Sequence, residues 1–245
     1  MTIAAELRNV TKNYGEVAAV RNVSFAAETG QVFGVLGPSG AGKTTLLRLI
    51  DLLESPDRGD VLLKNRKVSA SARNAHLIRK KIGMVLQKPV VLNRSVVNNL
   101  AYSMNIRGWD EKRVASRVAQ ELKRLGLEGR AKKNARTLSG GEMQRLSFSR
   151  ATVYGPELLL LDEFAANLDP KNVALLEEMV RAYLEEGPER AVVLVTHNIF
   201  QAKRLCHRIA LMWEGEIVEV ADKKKFFENP DDERTAAFVR GDIVY

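Results

Sequence analysis

Gly37-Pro38-Ser39-Gly40-Ala41-Gly42-Lys43-Thr44-Thr45 fits the pattern G-x-x-x-x-G-K-S/T when the count starts at Gly37. Ahead of it, Gln31 to Leu36 has the make-up of a buried strand, and behind it Leu46-Leu47-Arg48-Leu49-Ile50 has the apolar density of a helix lying on a sheet. The stretch therefore predicts a strand, a loop and a helix in that order. Glycines at 37, 40 and 42 let the backbone turn its N–H groups inward around phosphate oxygens, a concavity that side chains would otherwise fill. The positive end of the following helix falls on the same spot. Lys43 is placed to reach the β- and γ-phosphates, and Thr44 offers a hydroxyl to a bound Mg²⁺. The whole of Gly37 to Thr45 is thus a candidate cradle for a nucleoside triphosphate with magnesium. A Gly-rich turn with a chance lysine is the structural alternative, and the flanking pattern speaks against it.

Around this centre the chain has 245 residues, enough for one large α/β domain with a subdomain. Its longest apolar runs, such as Leu158 to Leu161 and Ala191 to Val195, fall far short of the roughly 18 residues a membrane helix needs. Residues 1–20 carry Glu6, Arg8, Lys12 and Glu16 among the apolar positions, so no signal-peptide core is expected and the chain is placed in the cytosol. The one cysteine, Cys206, excludes an internal disulfide and is read as a small buried thiol within a helix. His76, His197 and His207 are too scattered for an obvious metal site. The net charge of +8 suits an anionic partner. No basic run exceeds Lys223-Lys224-Lys225, and no aromatics interleave with it, so a nucleic-acid groove is not expected.

Upstream of the phosphate loop, residues 3–11 and 23–28 alternate as half-exposed strands do and suggest an antiparallel layer, with Tyr14 at the turn between them. Tyr14 is either a partly buried ring or one that stacks on a flat base. Downstream, Asp60 to Lys64 and Lys67-Val68 resume the strand pattern, and a short helix is expected over Leu77 to Lys81. Ile82 to Leu86 reads as a second buried strand that ends at Gln87, where an amide oxygen can coordinate a metal or orient water. From Ser95 to about Gly155 the periodicity turns helical. Asp110 caps a helix with Val114, Val118, Leu122 and Leu125 on its apolar face and Lys112, Arg113, Arg117, Glu121 and Lys123 on a solvated one.

This helical stretch closes with Leu138-Ser139-Gly140-Gly141-Glu142, a capping serine and two glycines opening a helix. Bare N–H groups there make a second phosphate-binding device. One triphosphate pocket has no evident need of two such devices, and one way out is that the second serves a neighbouring molecule. Leu158 to Leu161 then forms a buried strand ending in Asp162-Glu163. Asp162 suits Mg²⁺ through water, and Glu163 can polarise the water that attacks the γ-phosphorus. Asp169 caps a helix with Pro170 in its first turn, running to about Glu186. Ala191 to Val195 is the next buried strand, and it delivers His197 to the edge already holding Gly37, Gln87 and Asp162, which favours a γ-phosphate contact over a bystander role. A hairpin is expected around Glu214-Gly215, followed by a charged helical tail.

In this order, the phosphate loop, Gln87, Leu138 to Glu142, Asp162-Glu163, Asp169 and His197 resemble the ATP-binding cassette family over essentially the whole chain. Ser139 stands 23 residues ahead of the Walker B aspartate, Asp162, and this spacing is more specific than the loop alone. The resemblance implies a P-loop NTPase (RecA-like) core sheet with an antiparallel β subdomain and an all-helical insertion, residues 1–94 and 156–245 forming the core and 95–155 the insertion. It implies that Tyr14 stacks on adenine, that Gln87 is the Q-loop glutamine, Glu163 the catalytic base and His197 the switch histidine. It also answers the question of the second anion site. Two copies pack head to tail on binding ATP, so that Ser139, Gly140 and Gly141 of one close on the nucleotide held by Lys43 of the other, with Asp169 alongside. Phe164-Ala165 and Asn198 depart from the commoner Pro-Thr or Pro-Ser and Asp, and neither change removes a group the chemistry needs.

The same resemblance implies an importer ATPase bound to the inner face of the cell membrane, working on membrane permease subunits and indirectly with an extracytoplasmic solute-binding protein. Gln87-Lys88-Pro89-Val90, Ser95-Val96, Asn98-Asn99-Leu100 and Phe238 to Gly241 are similar to ATPases of tungstate and phosphate importers, with polar amino acids the next solute class. Three rivals are a cassette acting on nucleic acid, one gating an exporter or division complex, and a soluble P-loop kinase. The first would carry coiled coils or zinc insertions that are missing from this sequence, and the last would leave Leu138 to Glu142 without a use.

Overall fold

Every residue of Val32–Leu36, Leu158–Asp162 and Ala191–Thr196 is buried, and that fixes the centre of the molecule. Strands apolar along their full length lie in the middle of a parallel sheet covered on both faces. The structure, a computed structural model, describes residues 2–242.

The chain begins with β1 (Ile3–Tyr14) and β2 (Val17–Glu28), continues through β3 (Val32–Leu36) into α1 (Lys43–Ile50), and adds β4 (Arg58–Leu63), β5 (Arg66–Val68) and α2 (Ala75–Arg79). After β6 (Ile82–Val85) come α3 (Val96–Asn105), α4 (Glu111–Leu125) and α5 (Gly140–Thr152), with two 3-10 turns between the last two. Then follow β7 (Leu158–Asp162), α6 (Pro170–Glu185), β8 (Ala191–Thr196), α7 (Ile199–Leu205), β9 (Arg208–Trp213), β10 (Glu216–Asp222), α8 (Lys223–Glu228) and α9 (Glu233–Arg240).

The strands form two sheets, an antiparallel one in the order β2-β1-β4-β5 and a six-stranded one in the order β10-β9-β3-β8-β7-β6. In the larger sheet β9, β3, β8, β7 and β6 are parallel, and β10 turns back on β9 through Glu214-Gly215. Successive side chains of a strand point to opposite faces. Phe33, Val35, Leu160 and Val193 accordingly join α1 and the antiparallel sheet, where Phe25 stacks on Phe33 with ring centroids 4.7 Å apart. Leu36, Leu159, Leu161, Val192 and Leu194 join the opposite core with Leu146, Phe148, Leu176, Val180 and Phe238. Because these strands are parallel, their carboxyl ends share one edge, so Gly37, Gln87, Glu163 and His197 leave the sheet on the same side.

Between β6 and β7 the described residues hold helices and 3-10 turns, and the one β contact is an isolated bridge from Ser95 to Asn134. Asp110 caps α4 by accepting from the Arg113 N–H, and Gly126 ends it in the left-handed conformation. Val114, Val118, Leu122 and Leu125 are buried as their spacing requires. Glu121 corrects the expected solvated face: it is only 2% exposed. It lies three residues after Val118 and four before Leu125, on the flank of the buried stripe. Ser149 of α5 donates to its carboxylate there, and the Arg117 and Arg124 guanidiniums lie at 3.1 and 3.8 Å.

Two boundaries also differ. The short helix expected over Leu77 to Lys81 lies at Ala75–Arg79, since Lys80 and Lys81 already lead into β6. Cys206 is not inside a helix but caps the end of α7 in extended backbone. It is fully buried against Gly34, where an added Cβ would meet its Sγ at 2.6 Å, and burial pushes the thiol up to about 12. No helix among the described residues is long and apolar enough to cross a membrane.

Candidate active site

From the end of β3 the chain reverses through Gly37, Gly40 and Gly42 at φ 152°, 81° and 99°, a region that side chains disfavour. A Cβ on Gly37 would lie 2.1 Å from the Met212 carbonyl oxygen, and one on Gly42 would lie 2.1 Å from that of Ala19. Backbone from β9 and β2 therefore demands glycine at both. Gly40 faces open space, so its conformation alone demands it. Gly42 is the N-cap of α1 and carries no side-chain cap, which leaves the first-turn N–H groups directed into the loop.

Lys43 sits beneath this loop, 6% exposed, and its Nζ donates to the carbonyl oxygens of Gly37 and Pro38 at 2.7 Å each. Two of its three ammonium protons are thereby used. Burial holds its pKa below the ordinary lysine value, while the Glu163 and Asp162 carboxylates pull it back up. Thr44 Oγ1 donates to Asp162 Oδ2 at 3.1 Å. Burial raises the Asp162 carboxyl above its usual range, and the Thr44 hydroxyl works against that. A hydroxyl and one carboxylate, both hard oxygen donors, fit magnesium. No group of three or more His, Cys, Asp or Glu able to hold a metal occurs among the described residues. The remaining ligands would have to be water and phosphate oxygens, the manner in which Mg²⁺ is commonly bound.

Glu163 follows at φ 44°, with its N–H donating to the Val195 carbonyl at 2.9 Å. Its side chain is held from both sides. Gln87 Nε2 donates to Oε2 at 3.1 Å, and His197 Nδ1 lies 3.0 Å from Oε1. The ends of β6, β7 and β8 thus supply one hydrogen-bonded set, lining a cavity of about 230 Å³ with Asn167 and Thr196. The Gln87 amide is turned to Glu163 and not to the Thr44–Asp162 pair. Tyr14 is 44% exposed at the end of β1, and its hydroxyl donates to Glu54, which also pairs with Arg48 of α1 at 3.4 Å. That tie connects Tyr14 to the helix following the phosphate loop.

Ser139 is the N-cap of α5 in a full capping box: its Oγ accepts from Glu142 N, and Glu142 Oε2 accepts from Ser139 N at 2.9 Å. The bare N–H groups expected there are therefore reduced to those of Gly140 and Gly141, since the Glu142 carboxylate takes the Ser139 N–H and the Ser139 hydroxyl takes the Glu142 N–H. Arg130 holds the Glu142 carboxylate at 2.9 Å. Gly141 is pressed against Asn172, 2.3 Å from where a Cβ would stand. Asn172 accepts from Arg145 and donates to Asp169, which caps α6. No hydrogen bond among the described residues joins Ser139, Gly140, Gly141 or Asp169 to Gly37 through Thr45. One residue the sequence reading passed over is Gln144, 1% exposed on α5, whose Nε2 donates to the carbonyl oxygens of Leu86 and Phe164. Its only signal is a long polar side chain in the stripe Gly141, Gln144, Phe148, Thr152.

A backbone cradle ahead of α1, with a lysine beneath it and a carboxylate edge beside it, places the molecule among the P-loop nucleoside triphosphatases. A family profile described as "ABC transporter" matches residues 20–166. The phosphate import ATP-binding protein PstB 2 of Natronomonas pharaonis is 37% identical over 96% of this chain and 86% of its own. The methionine import ATP-binding protein MetN 2 of Bacillus licheniformis is 36% identical over 96% of this chain and 70% of its own. A solved dimeric structure of the ATP-binding cassette MJ0796 with ADP and Pi superposes with a TM-score of 0.80 at 29% identity, covering 89% of this chain and 98% of that one. The chain belongs to the ABC transporter family, and as a member it binds ATP and hydrolyses it to drive transport.

Proposed function

We propose that this chain energises import of an oxyanion such as phosphate, tungstate or molybdate through separate membrane permease subunits. The observation that carries the hydrolytic reading is the Glu163 carboxylate, held between Gln87 and His197 beside the Thr44–Asp162 pair. ATP lies with its phosphates in the cradle of Gly37 to Thr45, Lys43 against the β- and γ-phosphates and Tyr14 against the adenine. Thr44 and Asp162 would hold Mg²⁺, joined by the Gln87 amide oxygen once that side chain turns from Glu163, and the ion would neutralise charge on the phosphate oxygens. Glu163 orients the attacking water and takes its proton, while His197 fixes the Glu163 carboxylate and reaches the γ-phosphate. Ser139, Gly140 and Gly141 of a second copy close the site on ATP binding, with Asp169 of each copy at the seam. Residues 95–155 form the unit that faces the permease at the inner membrane surface, and the solute-binding protein acts from the other side.

The solute class is supported by likeness to the phosphate import protein over most of both chains. A second reading, a methionine importer, is favoured by the nearly equal identity to the methionine import protein. Uptake of labelled phosphate, molybdate and methionine by cells with and without this chain separates the two. Loss of oxyanion uptake with methionine uptake intact is expected, and the reverse pattern would overturn the assignment.

A further inference from the structure

Gln144 occupies a position that none of the roles above uses. β6 and β7 pair from Ile82–Leu158 to Val85–Leu161, and beyond that rung the strands part. The carbonyls of Leu86 and Phe164 lie just past the parting. Gln144 reaches between them from α5, its Nε2 donating to Leu86 O at 2.9 Å and to Phe164 O at 2.7 Å. Because both partners are acceptors, the amide nitrogen must face them, and both of its protons are consumed. Its Oε1 is left buried with no hydrogen-bond partner. A buried acceptor without a donor is unfavourable, and an apolar side chain of similar length would avoid it, so packing alone does not account for this residue.

Leu86 precedes Gln87, and Phe164 follows Glu163. Gln144 thus grips the backbone one residue from each end of the Gln87–Glu163 hydrogen bond. It is also carried on the helix that begins at Ser139-Gly140-Gly141, five residues and therefore about 7 Å away along a rigid rod. From this placement we infer that Gln144 is a positioning residue that sets Gln87 and Glu163 against α5, so that what contacts Ser139 to Gly141 alters the geometry of this chain's own hydrolytic carboxylate. The inference rests on the role proposed above for Glu163. Through it each nucleotide site of a pair would register the occupancy of the other, one through its cradle and the other through α5.

The test compares Gln144→Leu and Gln144→Met, which keep the volume and remove the donors, with Glu163→Gln and Gln87→Ala in the full-length protein. Misplacement by about 1 Å costs up to roughly 10²-fold in rate. Both Gln144 variants should therefore lose about tenfold or more in kcat while KM for ATP and affinity for ADP stay within about threefold. In the Gln87→Ala background, Gln144→Leu should cost less than about threefold further, because the two act on one geometry. A normal kcat in a folded Gln144 variant, or losses that multiply in the double variant, would overturn the inference. Glu163→Gln separates the two readings: normal turnover there refutes the role of Glu163, whereas a dead Glu163→Gln beside a normal Gln144→Leu refutes only the positioning role. Side-chain amide exchange of Gln144 by NMR in the unaltered protein gives a reading independent of variant folding. Slow exchange is expected, and exchange at the rate of a solvated glutamine would count against it.

Discussion

Glu163 holds a left-handed backbone conformation, which costs a residue with a side chain about 1–3 kcal/mol and persists only where the surroundings impose it. Here the Val195 carbonyl fixes its N–H, and Gln87 and His197 fix its carboxylate. Removing a general base typically lowers rate by ~10²–10⁴-fold. Glu163→Gln is expected to lose hydrolysis on that scale and still bind ATP, whereas Lys43→Ala is expected to weaken nucleotide binding itself. Rate measurements beside a nucleotide titration distinguish these, and a Glu163→Gln protein with normal turnover would be inconsistent with the proposed chemistry. Gly42→Ala has a different failure, since its Cβ would stand 2.1 Å from the Ala19 carbonyl in a backbone at φ 99°. A loss of at least about 2 kcal/mol in urea unfolding is expected, and parent-like stability would contradict the account of the loop. These residues were legible because glycine, lysine and acidic side chains at strand ends have few other uses in such a pattern. Gln144 was not, because its burial and its two carbonyl partners are set by the approach of α5 to β6 and β7, which local sequence does not encode.

The elements themselves were legible where periodicity is strong. β3 is apolar throughout, β7 and β8 are apolar up to their last residues, Asp162 and Thr196, and α4 shows its stripe between Asp110 and Gly126. Periodicity failed where tertiary contact overrides it, as at Glu121, whose charge is paired within the helical layer. Asp51 is a similar case at the end of α1. Burial raises its carboxyl from 3.8 to about 7, although Arg79 draws it down. The folded chain therefore holds this proton more tightly than the unfolded chain. Its contribution against folding is absent at low pH, grows as pH rises from about 4, and levels off above about 7. Asp51→Asn stays neutral throughout, so its Tm advantage over the parent should widen between about pH 4 and about pH 7 and hold steady above that. A Tm difference that does not change with pH would show that Asp51 is not the group responsible.

At the scale of the whole molecule, the parallel sheet gathers the cradle, Gln87, Asp162, Glu163 and His197 on one edge, while Ser139 to Gly141 open a helix that makes no hydrogen bond to the cradle. The order of motifs made the first grouping readable, since parallel strands must end together. How two copies meet depends on surfaces that one sequence does not align, so the pairing rests on the idle glycines of α5 and on likeness to a dimeric cassette. The central claim is that the site is completed by a second copy. Its most direct test is the solution mass of Glu163→Gln, which should trap the closed form, with and without Mg-ATP. The account predicts a shift from one chain to two only when Mg-ATP is present, reversed when Ser139 and Gly141 are replaced by bulky residues. A mass that stays at one chain with saturating Mg-ATP would contradict it.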